Sequence, residues 1–398
     1  MVTFVVSGPL VPFAEGFVER LGVLGYKEAP AAAQVGLFAH PSCWMESEGV
    51  PAGALTTGEV AAFLAERRRP GHVRLVAASC TRSLAAYLTE VGVIAESVHP
   101  AAGPLDAVAG RYIEYLASQR GLTLRSVAHY EVAARLFAEE IGVGEGRSLA
   151  SLTAAEVSRF VVNFCARAVK MSPRELVSCL RSFLRFCQLE GSSPTALAGA
   201  VPSYASWRQA SLPRALPPAQ TARLLAGCDR RSRRGRRDHA VLVCLSRLGL
   251  RAGEVAALGL DDIDWRVGEV VVHGKGPRVE RLSLPVDVGE AIAGYLQRGR
   301  PDVEGRAVFV RMIAPLVALT SPGVTWVVYD ACDRAGLPRV GAHTLRHSAA
   351  SDMLRAGANL TEIGQVLRHR RPGTTATYAK VDHNALDALA RPWPGCLA

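Results

Sequence analysis

A proline-rich segment divides this chain of 398 residues into two parts. Residues 191–218 are rich in Ser, Pro and Ala and end in the run LPRALPP, a composition typical of a semi-rigid linker. A single hydrophobic core rarely extends beyond roughly 250–300 residues, so a chain of this length favours two or three domains. The linker therefore predicts separate folding units before and after it.

The part before the linker has the periodicity of α-helices. Apolar residues recur there at helical spacing. Thr153 and Glu156 have the spacing of a capping box, in which each side chain satisfies a free backbone amide at the start of a helix. This part predicts a small helical bundle. Its predicted helical segments are 106–120, 125–141, 153–168 and 173–190.

The first hundred residues repeat part of this plan. Residues 55–63 parallel residues 152–160, and residues 80–87 parallel residues 179–186 at nearly the same offset. Two copies of a motif at such a period indicate a duplicated helical domain rather than a solenoid, which needs three or more repeats. The alternative is that two amphipathic helices with ordinary caps resemble each other by chance.

The part after the linker mixes helices with a β-hairpin. Helices are predicted at about 218–228 and 236–248, and they are followed by strands at 267–272 and 279–284 on either side of a Gly-Lys-Gly-Pro turn. Helices resume from about residue 286. The predicted fold class is mainly α with a small antiparallel β-sheet, an α+β domain that follows a helical N-terminal part.

Eight residues of this second part form one chemical set, in which several cations accompany a single tyrosine. The set starts where one predicted helix turns into the next, passes through the hairpin tip, and ends beyond a helix that closes near Gly357. Its members are Arg251-Ala-Gly-Glu254, Lys275, His343-Thr-Leu-Arg346-His347, and His369 followed by Tyr378.

These residue types suit an attack on a phosphodiester without a metal ion. A tyrosine hydroxyl that forms a phosphoester stores the bond energy, so rejoining needs no ATP. Two arginine forks can neutralise the charge that develops on the phosphate oxygens. His343 and Arg346 share one helix face, and a lysine on a hairpin can protonate the leaving oxygen. No acidic cluster with divalent-metal spacing lies nearby in the sequence, so we expect no metal and no cofactor.

Each member also has an ordinary explanation when taken alone. Arg251 can be a cation at a helix end, Lys275 a solvated turn residue, and Tyr378 a half-buried core aromatic. The histidines can be surface or helix-terminal cations. The occurrence of all members together, in this order, favours the catalytic interpretation over these separate ones.

The order and spacing of the set resemble the active-site signature of the tyrosine recombinases, the phage integrase family. The resemblance covers about 218–390 in full and extends less specifically to 106–190, which is similar to the helical core-binding domain of the family. It implies helical N-terminal DNA-binding domains, namely a first domain that is a candidate arm-binding or second core-binding-like module and a SAM-like core-binding domain, followed by a linker and a catalytic domain. Their predicted bounds are 1–100, 101–195, 196–217 and 218–398.

The resemblance implies a role for each member of the set. Tyr378 would attack the scissile phosphate and leave a 3′-phosphotyrosyl link with a free 5′-hydroxyl. Arg251 and Arg346 would hold the non-bridging oxygens, and Lys275 would be the general acid for the 5′ oxygen. His343 would assist Tyr378 as a base or positioning group.

Three further members would support the reaction. His369 would donate a hydrogen bond to the phosphate, Glu254 would orient the site, and His347 would give structural support. Repeated cleavage and rejoining of two duplexes, through a Holliday junction in a tetramer, would complete recombination.

The sequence departs from the family pattern next to His369. Arg368 precedes it where the family often has Gly, so the resemblance leaves the local backbone or a phosphate contact open to change. Arg370 and Arg371 follow it and are predicted DNA contacts near the cleavage point. After Tyr378 the chain has helix-like content only at 384–390.

A basic run is the second predicted DNA contact. The chain has 46 Lys+Arg against 36 Asp+Glu, a formal net charge of +10, which favours a polyanionic partner but is equally compatible with solubility. Most of the excess is Arg, and six arginines between 230 and 237 are predicted to neutralise backbone phosphates on the DNA-facing rim. The alternative is a solvated loop. The six are Arg230, Arg231, Arg233, Arg234, Arg236 and Arg237.

The sequence therefore predicts a site-specific DNA recombinase or integrase, with transposition of a mobile element as one form of the activity. Its expected partners are double-stranded DNA and further copies of the chain in a homo-tetramer, and related recombinases are candidate partners. Two alternatives remain: a catalytically inactive or accessory DNA-binding protein of the same fold, and an enzyme similar to a type IB topoisomerase.

The expected location is the bacterial cytoplasm, close to nucleoid DNA. No apolar run approaches the roughly 18 residues of a membrane span, so no membrane partner is expected. The first residues lack the basic segment of an export signal. Nine Cys without any C-x-x-C pair indicate reduced thiols.

Overall fold

The computed structural model divides the chain into two compact units, one formed by residues 1–96 together with 209–398 and the other by residues 97–208. The residues that it describes are 6–56, 59–60, 63–64, 66, 82–94, 104–143, 147–167, 171–193, 196–203, 215–274, 278–369, 372–376 and 378. Among them, no helix is both long enough and apolar enough to cross a membrane.

The N-terminal segment of the first unit is helical. Its helices α1 (Ala14–Val23), α2 (Glu28–Ser47) and α3 (Arg82–Glu90) enclose a core around Phe17 and Phe38, whose ring centroids lie 5.1 Å apart.

Residues 55–63, which parallel residues 152–160 of the second unit in sequence, carry the same kind of helix cap. The backbone N–H of Thr56 donates to the Glu59 carboxylate, and the backbone N–H of Glu59 donates in turn to the Thr56 hydroxyl. Thr153 and Glu156 form the same reciprocal pair. The other half of the repeat starts outside the described residues, and the duplication remains a prediction.

The second unit is the predicted helical bundle. Its helices are α4 (Pro104–Glu114), α5 (Leu124–Glu140), α6 (Ala154–Ala166) and α7 (Pro173–Leu189), with a π-helical turn at Tyr115–Gln119. Thr123, Thr153 and Ser172 cap the last three helices through their side chains. The apolar faces meet in an aromatic core formed by Tyr112, Phe137, Phe160 and Phe183.

The C-terminal segment of the first unit is built around one buried helix. The elements up to the sheet are α8 (Pro218–Ala226), α9 (Arg233–Arg247) and α10 (Ala252–Ala257). Every side chain from residue 240 to residue 245 of α9 is buried, so this helix forms the centre of the core.

A three-stranded antiparallel sheet follows, in the order β1 (Ile263–Asp264), β2 (Glu269–His273) and β3 (Val279–Ser283). The β2–β3 hairpin confirms the prediction within two residues at each end, and Val271 pairs with Arg281 in its register. The short strand β1 was not predicted, because two residues are too few to show an alternating pattern.

Five helices complete this segment. They are α11 (Val286–Arg298), α12 (Ser321–Arg334), α13 (Ala342–Arg355), α14 (Leu360–Val366) and α15 (Pro372–Thr375). The helices α11, α12 and α13 contact α9 directly. The fold is therefore mainly α with a small antiparallel sheet, as the sequence predicts. The helix-like residues 384–390 lie outside the described part.

Candidate active site

The α9–α10 junction places Arg251 at the start of a helix. Gly249 turns the chain there with a φ of 58°, a left-handed conformation that glycine adopts without strain. A Cβ on Gly249 would also lie 2.5 Å from Leu367 Cδ2, so the close approach requires glycine. Arg251 then stands at the N-cap of α10, and its side chain is 40% exposed.

The Glu254 carboxylate lies under Arg251 and is buried. Its Oε1 accepts from the Arg251 guanidinium, and its Oε2 accepts from the Arg251 backbone N–H at 2.8 Å and from Arg368 Nη2 at 2.7 Å. Burial raises the pKa of Glu254, but the backbone hydrogen bond and the charges of Arg368 and Arg251 outweigh burial and hold this pKa below its usual range. Glu254 is therefore a carboxylate shared by two arginines.

Arg346 lies close to Arg251 and Glu254, whose charges act on it. It is 1% exposed, and its guanidinium donates to the backbone carbonyls of Gly249 and Leu367. Burial and the nearby charges of Arg251 and Arg368 lower its pKa to about 10, so the guanidinium remains charged at neutral pH. Neutral carbonyls fix the orientation of Arg346 without cancelling its charge.

The turn after α14 connects the two sequence-predicted arginines. Leu367 offers its carbonyl to Arg346, and the next carbonyl, that of Arg368, accepts from Arg251 Nη2 at 3.4 Å. Two consecutive carbonyls can serve two arginines because Arg368 has a φ of 55°. The structure thus explains the departure noted in the sequence, since glycine would adopt this conformation more easily.

Tyr378 contacts His347 rather than His343. The Tyr378 hydroxyl lies 2.7 Å from His347 Nδ1, and Tyr378 is 2% exposed. The His343 and His347 rings meet edge to face with centroids 4.4 Å apart. The resemblance implies the closer relation to the nucleophile for His343, and nothing in the sequence distinguishes two histidines four positions apart on one helix face.

Burial controls the protonation of this cluster. It raises the pKa of Tyr378 to about 12, against a smaller opposing effect of the Arg346 charge. It also lowers the pKa of His347 to about 4, helped by His343 and Arg346. At neutral pH the pair is therefore a protonated phenol beside a neutral imidazole, and Nδ1 can accept the phenolic proton.

His369 stands on the other side of Tyr378. The two rings are nearly parallel, at an angle of 6° with centroids 6.3 Å apart. His369 Nδ1 lies 2.8 Å from the Thr375 hydroxyl, which is itself buried. Burial, with Arg346 and Arg251, lowers the pKa of His369 to about 4. Thr375 was missed by the sequence analysis, since a threonine six positions after a histidine carries no recognisable signal.

Open grooves border the cluster. One groove of about 710 Å³ is lined by Arg251, His273, Thr325 and His343 among others. It begins beside the amino ends of α10 and α13, where free backbone N–H groups favour an anion. Lys275, Arg370 and Arg371 lie outside the described residues. In the described part of the chain, no three His, Cys, Asp or Glu side chains cluster as a metal site would require.

The basic run lies at the far end of α9. With 15 residues in this helix, its first turn stands about 20 Å from Arg251. Arg237 is 8% exposed and pairs with Asp238 at 2.6 Å, which leaves it no surface to offer a phosphate. Arg234 pairs with Asp330 and Asp238.

The other arginines of the run are less buried than Arg237. Arg233 and Arg236 donate to the backbone carbonyls of Arg300 and Arg298. No ion pair of Arg230 or Arg231 is found among the residues that the structure describes.

Comparison with known proteins gives matches across most of the chain. Residues 214–385 match the phage integrase family, and residues 109–191 match the phage integrase N-terminal SAM-like domain. A protein of Sinorhizobium fredii named y4rA, described as an integrase/recombinase, is 39% identical over 97% of this chain and 94% of its own length. The tyrosine recombinase XerD of Mycobacterium tuberculosis is 30% identical over 71% of this chain and 95% of its own length.

Solved structures agree in fold. A XerH site-specific recombinase bound to its palindromic difH substrate aligns with a TM-score of 0.55 at 18% identity, over 72% of this chain and 84% of that one. A lambda integrase dimer (residues 75–356) bound to a core site aligns with a TM-score of 0.53 at 17% identity, over 68% of this chain and 94% of that one.

Proposed function

Because the chain belongs to the phage integrase family and is a tyrosine site-specific recombinase that cleaves and rejoins DNA, we propose that Tyr378 is its nucleophile. The observation that carries this assignment is the position of the Tyr378 hydroxyl, 2.7 Å from a neutral histidine and beside a buried arginine. A phenol in that position has both a proton acceptor and a cation for the phosphate that it attacks.

Arg346 and Arg251 bind the two non-bridging oxygens of the scissile phosphate. Arg346 is held rigidly by two backbone carbonyls, and the more exposed Arg251 faces the groove where a backbone phosphate would enter. Fixed guanidinium groups in a partly dry site stabilise the extra charge of the transition state without having to reorganise. His369 adds a hydrogen bond to the same phosphate.

Side chains of this chain supply and accept every proton of the cleavage step, without a metal or ATP. The Tyr378 oxygen bonds to phosphorus while the bond from phosphorus to the 5′ oxygen breaks. The phenolic proton passes to His347, and His343 orients this neighbour and the phosphate. Lys275, which lies between β2 and β3 in the sequence, gives a proton to the leaving 5′ oxygen, and His273, two positions before it, lines the same groove as Arg251.

The cleaved strand stays bonded to the enzyme through a 3′-phosphotyrosyl ester, and rejoining reverses these steps. Retention of the ester conserves the energy of the original bond. Two rounds of exchange between duplexes require several active sites, so the working form is a homo-tetramer on double-stranded DNA. Related recombinases can occupy some of its positions, and the protein resides with the nucleoid.

Residues 101–195 act as the core-binding domain and residues 218–398 as the catalytic domain. The family matches at 109–191 and 214–385 support these bounds. Arg230, Arg231, Arg233 and Arg236, with Arg370 and Arg371, are the arginines that we assign to backbone phosphates. The domain formed by residues 1–100 is a second core-binding-like module, supported by its shared helix cap.

The test starts with the sites that the purified chain selects from a random duplex library. A nicked suicide substrate built on the selected site should form a covalent adduct in EDTA without ATP, and Tyr378→Phe should abolish it. Tyr329→Phe, in the same unit, is the matched control and should retain it. An adduct that persists in Tyr378→Phe would refute the assignment of the nucleophile.

The same assay separates the alternatives. Selective binding without any adduct would identify an accessory DNA-binding protein. Relaxation of supercoiled DNA without exchange between sites would identify activity of the type IB topoisomerase kind. Neither alternative is favoured, because every catalytic position that the sequence predicts retains its residue.

A further inference from the structure

We propose that Arg368 is a positioning residue of the active site: its guanidinium holds the Glu254 carboxylate, and through that carboxylate it sets the position of Arg251. The inference rests on the proposed function, since it assumes that Arg251 binds the scissile phosphate. Arg368 itself does not contact DNA in this proposal.

The backbone at residue 368 is the first observation. Among the described residues, Arg368 is the one non-glycine with a positive φ, 55°. Side chains with a Cβ are strained in this left-handed region, and glycine is not. Strain of this kind persists where the surrounding contacts over-determine the conformation, which happens most often at functional sites. An arginine here is therefore retained for what its side chain contacts.

The side chain is enclosed in the protein. It is 3% exposed, and its Nη2 donates to Glu254 Oε2 at 2.7 Å while Nη1 donates to the Val366 carbonyl at 3.1 Å. Its Nε is buried and has no hydrogen-bond partner among the described residues. A long cation placed this way has one charged partner to serve, and that partner is Glu254.

Glu254 in turn limits what Arg251 can do. If Arg251 were the sole cation on Glu254, the buried carboxylate would hold its guanidinium in a closed pair. Because Arg368 shares Oε2, the carboxylate is already satisfied in part, and Arg251 keeps charge and donors for a phosphate. The Arg368 carbonyl, which accepts from Arg251 Nη2 at 3.4 Å, limits the same guanidinium from a second side.

The charge count agrees with this arrangement. Among the residues that the structure describes, the charged groups that interact with the carboxylate are Arg251, Arg346 and Arg368, three cations to one anion. Both Arg251 and Arg368 depress the pKa of Glu254, so the carboxylate stays ionised beside them. The surplus positive charge then lies on the groove side, on Arg251, where a phosphate can compensate it.

The experiment compares Arg368→Gly, Arg368→Asn and Arg368→Lys, each also with Glu254→Gln, on the suicide substrate. Gly and Asn both accept a positive φ, so two independent variants keep the turn while removing the charge. Single-turnover cleavage should fall by about 10²-fold in both, the scale of loss expected from a misplaced catalytic group. DNA affinity should remain within about threefold of the wild type, and Arg368→Lys should recover part of the rate.

The double variants distinguish positioning from independent effects. If Arg368 acts through Glu254, then Arg368→Gly should cost nothing further in the Glu254→Gln background, because coupled residues are not additive. Arg355→Ala, an exposed arginine of α13 paired with Asp352, is the matched control and should cleave as the wild type does.

Three results would overturn the proposal: cleavage by Arg368→Gly at the wild-type rate, full additivity with Glu254→Gln, or a loss of DNA affinity that accounts for the loss of cleavage. The last would mean that Arg368 contacts the phosphate. Failure of the proposed function is a separate result, since the wild type would then form no adduct or Tyr378→Phe would retain it.

Discussion

Two groups of arginines in one unit use the same side chain for different ends. In the active site, Arg346 is held by backbone carbonyls, which occupy its donors and leave its charge available. In the basic run, Arg237 and Arg234 pair with aspartates, which cancel the charge that made the run conspicuous. The partners of an arginine, rather than the density of arginines, therefore determine whether it can bind an anion.

The largest expected effect comes from changing the fork of Arg346 while keeping its charge. Arg346→Lys preserves a cation, but a lysine ammonium lacks the planar fork with which arginine can contact both carbonyls and a phosphate oxygen at once. We expect single-turnover cleavage to fall by about 10²–10³-fold, the range for removing one transition-state donor, with a much smaller change in DNA affinity. Arg339→Lys, an exposed arginine paired with Asp333, serves as the control. A rate within tenfold of the wild type would show that charge alone suffices.

The next effect is on stability and belongs to the other group. Arg237→Met leaves Asp238, which is 1% exposed, with only the longer contacts to Arg334 and Arg234. Breaking a buried ion pair from one side costs about 3–5 kcal/mol, and the remaining partners should reduce that to about 3 kcal/mol or less. Chemical denaturation measures it, with the exposed Arg231→Met as control. A loss of DNA affinity at unchanged stability would return Arg237 to the DNA surface.

The sequence predicted the elements better than it predicted the contacts. The helix with its cap at Thr153, and the β2–β3 hairpin, follow from local periodicity and turn residues, and the structure confirms them. The members of the site were predicted because their residue types and order are unusual together. Local rules could not tell which of them touch.

The contacts within the site depend on packing between elements distant in sequence. Tyr378 contacts His347 of α13 instead of His343. The pair between Glu254 and Arg368 joins α10 to the turn after α14. The sequence marked Arg368 as a departure. Only its φ and its partner reveal why that position matters.

Half-buried histidines of the active site give a pH-dependent effect on stability. His347 and His369 have folded-state pKa values lowered to about 4, below the roughly 6.5 of an unfolded histidine. The unfolded state therefore binds more protons between these values, and the free energy of unfolding should decrease as the pH falls from about 6.5 to about 4. Above pH 6.5 both states are neutral and the histidines add no slope.

Thermal melts at a series of pH values measure this effect. His347→Gln should lessen the loss between pH 6.5 and 4, because a neutral amide takes up no proton in either state. His129→Gln, an exposed histidine of α5, should leave the pH dependence as it was. An unaltered slope in His347→Gln would show that His347 does not contribute to the acid sensitivity.

The smallest effect tests whether pairing within the basic run matters for DNA. The logarithm of the DNA-binding constant falls linearly with the logarithm of the salt concentration. Neutralising one phosphate-contacting arginine should reduce the steepness of this slope by about 1, equally for all DNA sequences. Arg230→Ala with Arg231→Ala should therefore lower the slope more than Arg233→Ala with Arg234→Ala, because Arg234 already spends its charge on Asp330. Equal slopes for the two double variants would mean that DNA displaces the aspartate. In that case intramolecular partners would no longer predict which arginines of this chain are free for an anion.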